Sequence, residues 1–577
     1  MLSDALYNFF LRLEDSWPVF WGSLWISFGL WVLSSLWPYD AASRWRRWNH
    51  PGLYVTLLLV ALVAFRWPAI GSPGEFNPDE SQLLAGGITL INRGWLWKID
   101  MGTCGPWSFL PLALPSVLGW PVDYASGRCV ALLMSWGSIV FVWLALRRLL
   151  SDHLARVLVM PMCAMIVCAK YDEFVQYSSE HAPLLYFAAA FWLLITAFDQ
   201  QGLVLSRARL MGGGFLLGLL PFTKLQAAPL GVILGGSVLV WIICQPGVPL
   251  RQRGRDTGWL AGGVLLATGL VLGGLAQQGL LVDFYRSYIQ MNVIYTGARA
   301  YPWSEFGYWL WFMTGVAWGF AIYLWPSWVM TALALPFWTQ VTGPLRRQLV
   351  LGGLLFLGGY FVVGAPGRTS QHYLQFIVMP STIFLAVLYG GLLTHPRWPG
   401  WVRAFWYAPV LLLGVWLQID HYYADHWRPH FGELREARAK AQGPVARFLQ
   451  PYIRPGDTLS VWGWASAFHV QTQLPQATRE AHTERQLAPS ALREYYRLRY
   501  FADLQESRPA FFLDAVGPEG FGFKLRENDG HETFPSLRDY IATHYRLVGD
   551  LESTRIYIRL DRLADKPHGW SYLRAAR

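Results

Sequence analysis

Residues 76–112, FNPDESQLLAGGITLINRGWLWKIDMGTCGPWSFLPL, decide how the rest of the chain is read. Asn77-Pro78-Asp79-Glu80 is a helix start. Asn77 is the N-cap, Pro78 suits the first helical position, and Glu80 follows the cap by three. Leu83, Leu84, Ile88 and Ile91 recur on one helical face, and Asn92-Arg93-Gly94 is a stop signal. The spacing predicts a short amphipathic helix along a membrane surface, with two carboxylates at its N-terminus. Acidic residues favour any first helical turn because they complement the helix dipole. These two also have company: Lys98, Asp100 and the turn Gly102-Thr103-Cys104-Gly105-Pro106 follow closely, and apolar segments flank the whole stretch. The dipole favours the ionised form of Asp79 near neutral pH, as a general base requires.

Working outward, the chain has 577 residues, 54% hydrophobic and only 15% charged, where a soluble protein carries about 25% charged residues. It has 32 tryptophans, and tryptophan gathers at membrane–water interfaces. These features point to a polytopic α-helical membrane protein. The net charge of +10 is mostly arginine, clustered in short loops between apolar segments. It is read as topology and anionic-lipid contact, and no nucleic acid is expected as a partner. The five cysteines have no metal-ligand spacing, although Cys104 and Cys129 could pair if both face an oxidising space. No cleavable signal peptide is evident, since the first residues are acidic and aromatic instead of basic.

Apolar segments fall roughly at 17–37, 52–68, 128–149, 157–170, 182–198, 210–223, 227–244, 259–280, 308–335, 349–365, 373–394 and 404–419, giving about 11 or 12 spans. The loops alternate in charge. Arg44, Arg46, Arg47, Arg147, Arg148, Arg156, Arg207, Arg209, Arg251, Arg253, Arg255, Arg346, Arg347, Arg397 and Arg403 mark one side as cytoplasmic. The opposite side carries Asp79, Glu80, Asp100, Asp172, Glu173 and Glu180. After about residue 420 the chain turns polar. Helices are expected over 431–450 and 490–507, and strands over 458–462, 510–513, 545–548 and 555–560. This reads as a soluble α/β domain at 420–577. Residues 1–50 form an N-terminal span and cytoplasmic loop, and 51–419 a membrane domain with an outer loop at 69–127.

Ionisable residues at the ends of membrane spans are costly unless they have a task. Four such sites join the first: Asp172-Glu173 with Glu180-His181; Lys224; Asp283, Arg286, Asn292, Tyr295 and Arg299; and Arg368, Gln371, His372 and Tyr373. On the topology above they all face the side of Asp79. A carboxylate base with Lys and Arg about an anion suits displacement of a phosphate leaving group. Outside the cytoplasm no nucleotide-sugar pool is expected, so the donor would arrive through the bilayer as a sugar on a polyprenyl phosphate.

FNPDES, KIDMGTCGP and WSFLPLALP together resemble the first outer loop of the GT-C glycosyltransferases, nearest to the branch of protein O-mannosyltransferases and lipid A aminoarabinose transferases, glycosyltransferase family 39-like. GLLPFTKLQ resembles that family's Gly-rich span ending in Lys. GRTSQHYL resembles its late-loop motif, and YDEFVQYSSEHAP a second outer loop of bacterial members. The resemblance covers roughly residues 50–400. It implies a GT-C-like bundle, Asp79 as catalytic base and Glu80 as its supporting partner. It implies substrate contacts at Asp100, Asp172, Glu180, Lys224, Arg368, His372 and Tyr373. Here Cys104-Gly105-Pro106 stands where the mannosyltransferases have His-Pro-Pro. The implied activity is inverting transfer of a sugar from a polyprenyl-phosphate donor to a glycan, lipid or protein acceptor. The implied place is the bacterial inner membrane, with the catalytic face and the C-terminal domain periplasmic. No cofactor is implied and no metal-ligand set is visible. A transporter or flippase of a lipid-linked or anionic solute is the alternative, since intramembrane charges and Gly-interrupted spans are transporter features too. A scaffold whose working part is the 420–577 tail is a third reading.

Overall fold

The computed structural model describes residues 17–37, 49–72, 74–94, 104–168, 172–197, 205–297, 328–341, 343–366, 370–394 and 443–563. In lipid an apolar segment must satisfy its own backbone N–H and C=O groups, which a helix does. The apolar segments that fall on described residues are accordingly helices. They are α1 (Trp17–Leu36), α2 (Pro51–Gly71), α4 (Tyr124–Leu149), α5 (Asp152–Val167), α6 (His181–Ala197), α7 (Arg207–Thr223), α8 (Ala228–Ile243), α9 (Leu250–Gln277), α10 (Pro344–Gly364) and α11 (Gln375–Leu393). The amphipathic helix α3 (Pro78–Arg93) stands between α2 and α4. Among the described residues, five helical stretches are long and apolar enough to cross a membrane: Tyr124–Leu149, Leu225–Ile243, Leu250–Gln277, Leu345–Gly364 and Gln371–Leu393. This is a polytopic α-helical membrane protein. The expected span at 308–335 is described only from residue 328, and that at 404–419 lies outside the described residues, as does most of the expected helix at 431–450.

α11 is buried along its whole length and forms the middle of the bundle. α7 and α9 approach until backbones touch: a Cβ on Gly214 would lie 2.2 Å from the Leu260 carbonyl oxygen. Small residues at such crossings are how helices pack tightly in lipid. At one end of the bundle Arg156 is fully buried, not solvated as its loop position suggested. It pairs with Asp152 at 2.7 Å and donates to Asn49 Oδ1 at 2.6 Å and the Ser34 carbonyl at 3.0 Å, tying α1, the start of α2 and α5 together.

The C-terminal α/β domain is a four-stranded sheet in the order β1-β2-β4-β3. β1 (Leu459–Trp462) and β2 (Phe511–Asp514) are parallel, and β4 (Thr554–Arg559) is antiparallel to both β2 and β3 (Tyr545–Leu551). β1 and β2 are buried at every position, which explains why they read as continuous apolar runs. Helix α12 (Ala467–Thr472) and the crossover helix α13 (Arg493–Ser507) lie between them in the chain, and α14 (Pro535–His544) precedes β3. α12 and α14 were not expected from the sequence, and α12 packs on α3.

The domain is anchored on the membrane part. The Gln476 N–H donates to Thr89 Oγ1 of α3 at 3.0 Å, and Gln473 Nε2 donates to the Val122 carbonyl at 3.1 Å. Arg479 pairs with Asp283 at 2.6 Å, the Tyr495 hydroxyl donates to the same carboxylate, and Arg499 Nη1 donates to Ser287 Oγ at 2.5 Å. Asp283, singled out in the sequence with the other polar loop residues, therefore serves docking. Asp283→Ala is expected to weaken docking by about 1–2 kcal/mol. Native-state hydrogen exchange across residues 473–503 would then run about tenfold faster. Unchanged exchange there contradicts the anchoring role.

Candidate active site

The helix start reads as the sequence suggests, with one change. Asn77 is extended and its side chain accepts the Asp79 N–H at 2.9 Å, and Gly94 ends α3 with φ +63°. Leu83, Leu84 and Ile88 are buried, but Ile91 is exposed. Glu80 does not close a capping box on Asn77. Its carboxylate accepts the Phe76 N–H at 3.2 Å and the fork of Arg128 at 2.8 and 2.7 Å. Arg128 also donates to the carbonyls of Ala69, Ser72 and Gly74 at 2.9, 2.6 and 2.6 Å and lies 3.7 Å from the Phe76 ring centre. Both side chains of this pair are fully buried. The pair joins the end of α2, the start of α3 and α4, and holds the neighbouring Asp79 in place. Arg128 was not singled out, although a charged residue inside the first turns of an apolar helix was the available signal.

Four elements bring the other groups in. α7 ends at Thr223, where Pro221 interrupts its ladder, and Lys224 leaves the helix in extended backbone. A brace holds this end. The Gly105 N–H and Ser108 Oγ both donate to the Thr223 carbonyl at 2.7 Å, and the Tyr288 hydroxyl donates to the Pro221 carbonyl at 2.7 Å. A Cβ on residue 105 would lie 1.9 Å from the Phe222 carbonyl oxygen, so only glycine fits. This is the physical content of the Cys104-Gly105-Pro106 turn. Lys224, buried, forms an ion pair with Glu180, donates to Ser179 Oγ at 2.8 Å and lies 4.9 Å from the Tyr373 ring centre. His372 Nε2 is 3.8 Å from the same Glu180 oxygen, and the hydroxyls of Tyr373 and Tyr295 are 3.5 Å apart.

Asp79 lies in the fields of His372, Lys224 and Glu180. Burial raises its carboxyl above the ordinary range, and His372 and Lys224 offset this only in part. Glu180 goes the other way. Burial opposes its charge, but Lys224 and then His372 outweigh that and hold it below the usual range. Two neighbouring carboxylates thus have separated proton affinities, the pattern of a site with divided acid–base roles. Cys104 lies near Ser179 and Lys224, and all five cysteines are free, so the pairing of Cys104 with Cys129 considered from the sequence is not formed.

Of the residues expected from the sequence, Asp79, Glu180, Lys224, His372 and Tyr373 come together. Glu80 is adjacent but faces Arg128. Asp100 and Arg368 lie outside the described residues, and Asp172 opens a short helix (Asp172–Val175) with its side chain outside them.

The crystal structure of ArnT from Cupriavidus metallidurans bound to undecaprenyl phosphate superposes with a TM-score of 0.52 at 13% identity, over 90% of this chain and 100% of that one. The chain has a GT-C fold. A GT-C oligosaccharyltransferase of Archaeoglobus fulgidus, in its apo form, aligns with a TM-score of 0.44 at 9% identity, over 81% of this chain and 69% of that one. No family model matches the sequence, and no curated protein matches it. In this chain the cation beside Glu180 is a lysine. Among the described residues one trio has metal-ligand proximity, Asp514, His531 and Glu532 of the C-terminal domain. Arg526 donates to Asp514 at 2.7 Å and to Glu532 at 3.2 Å there, so a guanidinium fills the role of the cation.

Proposed function

We propose that this chain is an integral membrane glycosyltransferase that moves a sugar from a polyprenyl-phosphate donor to a hydroxyl acceptor with inversion at the anomeric carbon. The observation that carries the reading is the closeness of Asp79, a carboxylate of raised proton affinity, to the Lys224–Glu180–His372 cluster. Asp79 takes the proton of the acceptor hydroxyl. The hydroxyl oxygen forms a bond to the anomeric carbon from the face opposite the phosphate. The bond from that carbon to the phosphate oxygen breaks, and its electron pair leaves with polyprenyl phosphate. Lys224, with His372 and Tyr373 beside it, stabilises the charge that develops on the phosphate. Arg368 is proposed to join them, and Asp100 and Asp172 to contact substrate. Glu180 orients Lys224 through their ion pair. Glu80 acts through Arg128 as a positioning residue for Asp79. The undecaprenyl phosphate bound to ArnT supports a lipid-linked donor on this fold. The acceptor is a glycan, lipid or protein, and the site would face the periplasm from the bacterial inner membrane.

Lys224→Met made together with Glu180→Gln removes both members of the buried ion pair at once. The double variant is expected to bind polyprenyl phosphate about tenfold or more weakly than wild type. Binding of a labelled polyprenyl phosphate to protein in nanodiscs measures this. Equal affinity would remove Lys224 from the donor site.

A further inference from the structure

Residues 281–297, the polar stretch that follows α9, touch two parts of the molecule at once. They form one helical run: a single α-turn (Leu281–Phe284), a π-helical stretch (Tyr285–Gln290) and a last α-helical piece (Met291–Gly297). π-helical turns are rare and recur at functional sites. Asp283 and Ser287, with Arg286 beside them, meet the C-terminal domain. Arg479 and Tyr495 hold the Asp283 carboxylate, and Arg499 Nη1 donates to Ser287 Oγ at 2.5 Å. Arg485 Nη1 donates to the Ser287 carbonyl at 3.3 Å, and the Arg286 guanidinium lies 4.9 Å from the Tyr495 ring centre. Phe284 and Tyr288 share the neighbouring face and meet the membrane bundle. The Phe284 ring centre is 6.0 Å from that of Phe222 and 5.3 Å from that of Tyr288. Tyr288 is fully buried and its hydroxyl donates to the Pro221 carbonyl at 2.7 Å. At the far end of the run the Tyr295 hydroxyl stands 3.5 Å from that of Tyr373.

The last carbonyls of a helix have no donor within it. Pro221 carries one of them, and Tyr288 supplies its donor just before Lys224 leaves α7 in extended backbone. Asn292 Nδ2 donates to the Tyr288 carbonyl at 2.7 Å and so ties Tyr288 to the turn that leads to Tyr295. Ser287 and Tyr288 are joined by one peptide bond. The residue gripped by the C-terminal domain and the residue that grips the end of α7 therefore move together. We propose that residues 281–297 are a strap through which the docked C-terminal domain sets the position of Lys224, with Tyr288 as the positioning residue. A domain that lets go of Asp283 and Ser287 frees Tyr288, and the Lys224 end of α7 loosens. The coupling stands on this geometry alone. Its use, an ammonium held in place for a phosphate, rests on the transferase reading.

Hydrogen exchange of the full chain in nanodiscs, resolved by peptide, tests the strap. Tyr288→Phe keeps the buried ring and removes only the hydroxyl. It is expected to speed exchange about threefold or more over residues 222–227, and also over 473–503 in the C-terminal domain. Asp283→Ala, which loosens docking, is expected to speed exchange over 222–227 as well, and the double variant to show less than the product of the two effects. Exchange in α5 is the control and should not change. A change confined to the end nearest each substitution, or one spread equally to α5, overturns the strap. Wild type gives a second readout that needs no variant to fold. Coupling is reciprocal, so polyprenyl phosphate bound beside Lys224 is expected to slow exchange over 473–503 about twofold or more. Bound lipid with unchanged exchange there also overturns the strap. Coupled ends in a chain that binds no polyprenyl phosphate would overturn the transferase reading and leave the strap standing.

Discussion

Asp79→Asn is expected to lower sugar transfer by about 10²–10⁴-fold, the range general-base catalysis supplies, while the protein remains folded. The backbone N–H of residue 79 still meets the Asn77 side chain, because that bond does not involve the carboxylate. The amide loses only the proton-accepting oxygen. Burial raises the Asp79 carboxyl, so folding favours its protonated form. A group with a raised folded pKa contributes stability that is present at low pH and is lost as pH rises through its folded value. Asn mimics the protonated form at every pH. The variant should therefore match or exceed the wild-type Tm at neutral pH, and the two should converge in acid. For the same reason wild-type activity should fall on acidification at a pH above the ordinary aspartate range, as Asp79 takes up its proton. Transfer rates and thermal unfolding measured between about pH 4 and 8 give both readouts. Near-normal turnover in the variant would remove Asp79 from the reaction.

The second large effect is on stability. Arg128→Met is expected to destabilise the fold by about 3–5 kcal/mol or more, the range for removing one partner of a buried ion pair. It removes the guanidinium from the Glu80 carboxylate and one donor each from the Ala69, Ser72 and Gly74 carbonyls. Glu80→Gln retains an acceptor for Arg128 and should cost less. Its turnover per folded molecule should fall far less than that of Asp79→Asn, because Glu80 supports the site from behind. Thermal unfolding in detergent, with activity normalised to folded protein, separates these effects. An Arg128→Met protein of wild-type Tm contradicts this account of the helix start.

Much of this architecture was open to reading because its signals are local. Apolar runs must be helices in lipid, Asn77-Pro78 must start a helix, and Gly94 in the left-handed region must end it. β1 and β2 announce themselves as buried apolar runs, and the alternation of residues 555–560 gives β4. What escaped is long-range pairing. Nothing local marks Arg128 as the partner of Glu80, 48 positions earlier, or Asp283 as the anchor of Arg479, 196 positions later. Lys224 was read as a phosphate ligand, yet the pairing with Glu180 across 44 positions depends on how α6 and α7 meet. The turn at Gly105 was legible as a turn, while its task, bracing the residues just before Lys224, came only with the packing.

The most direct measurement follows both products of one reaction. Proteoliposomes holding the purified chain receive a doubly labelled polyprenyl-phosphate sugar and a hydroxyl acceptor, and mass analysis counts free polyprenyl phosphate and new glycosidic bonds. The account predicts one polyprenyl phosphate released per bond formed, with the sugar's anomeric configuration inverted. A donor that crosses the bilayer intact, with its sugar still attached, would contradict it and make this bundle a carrier.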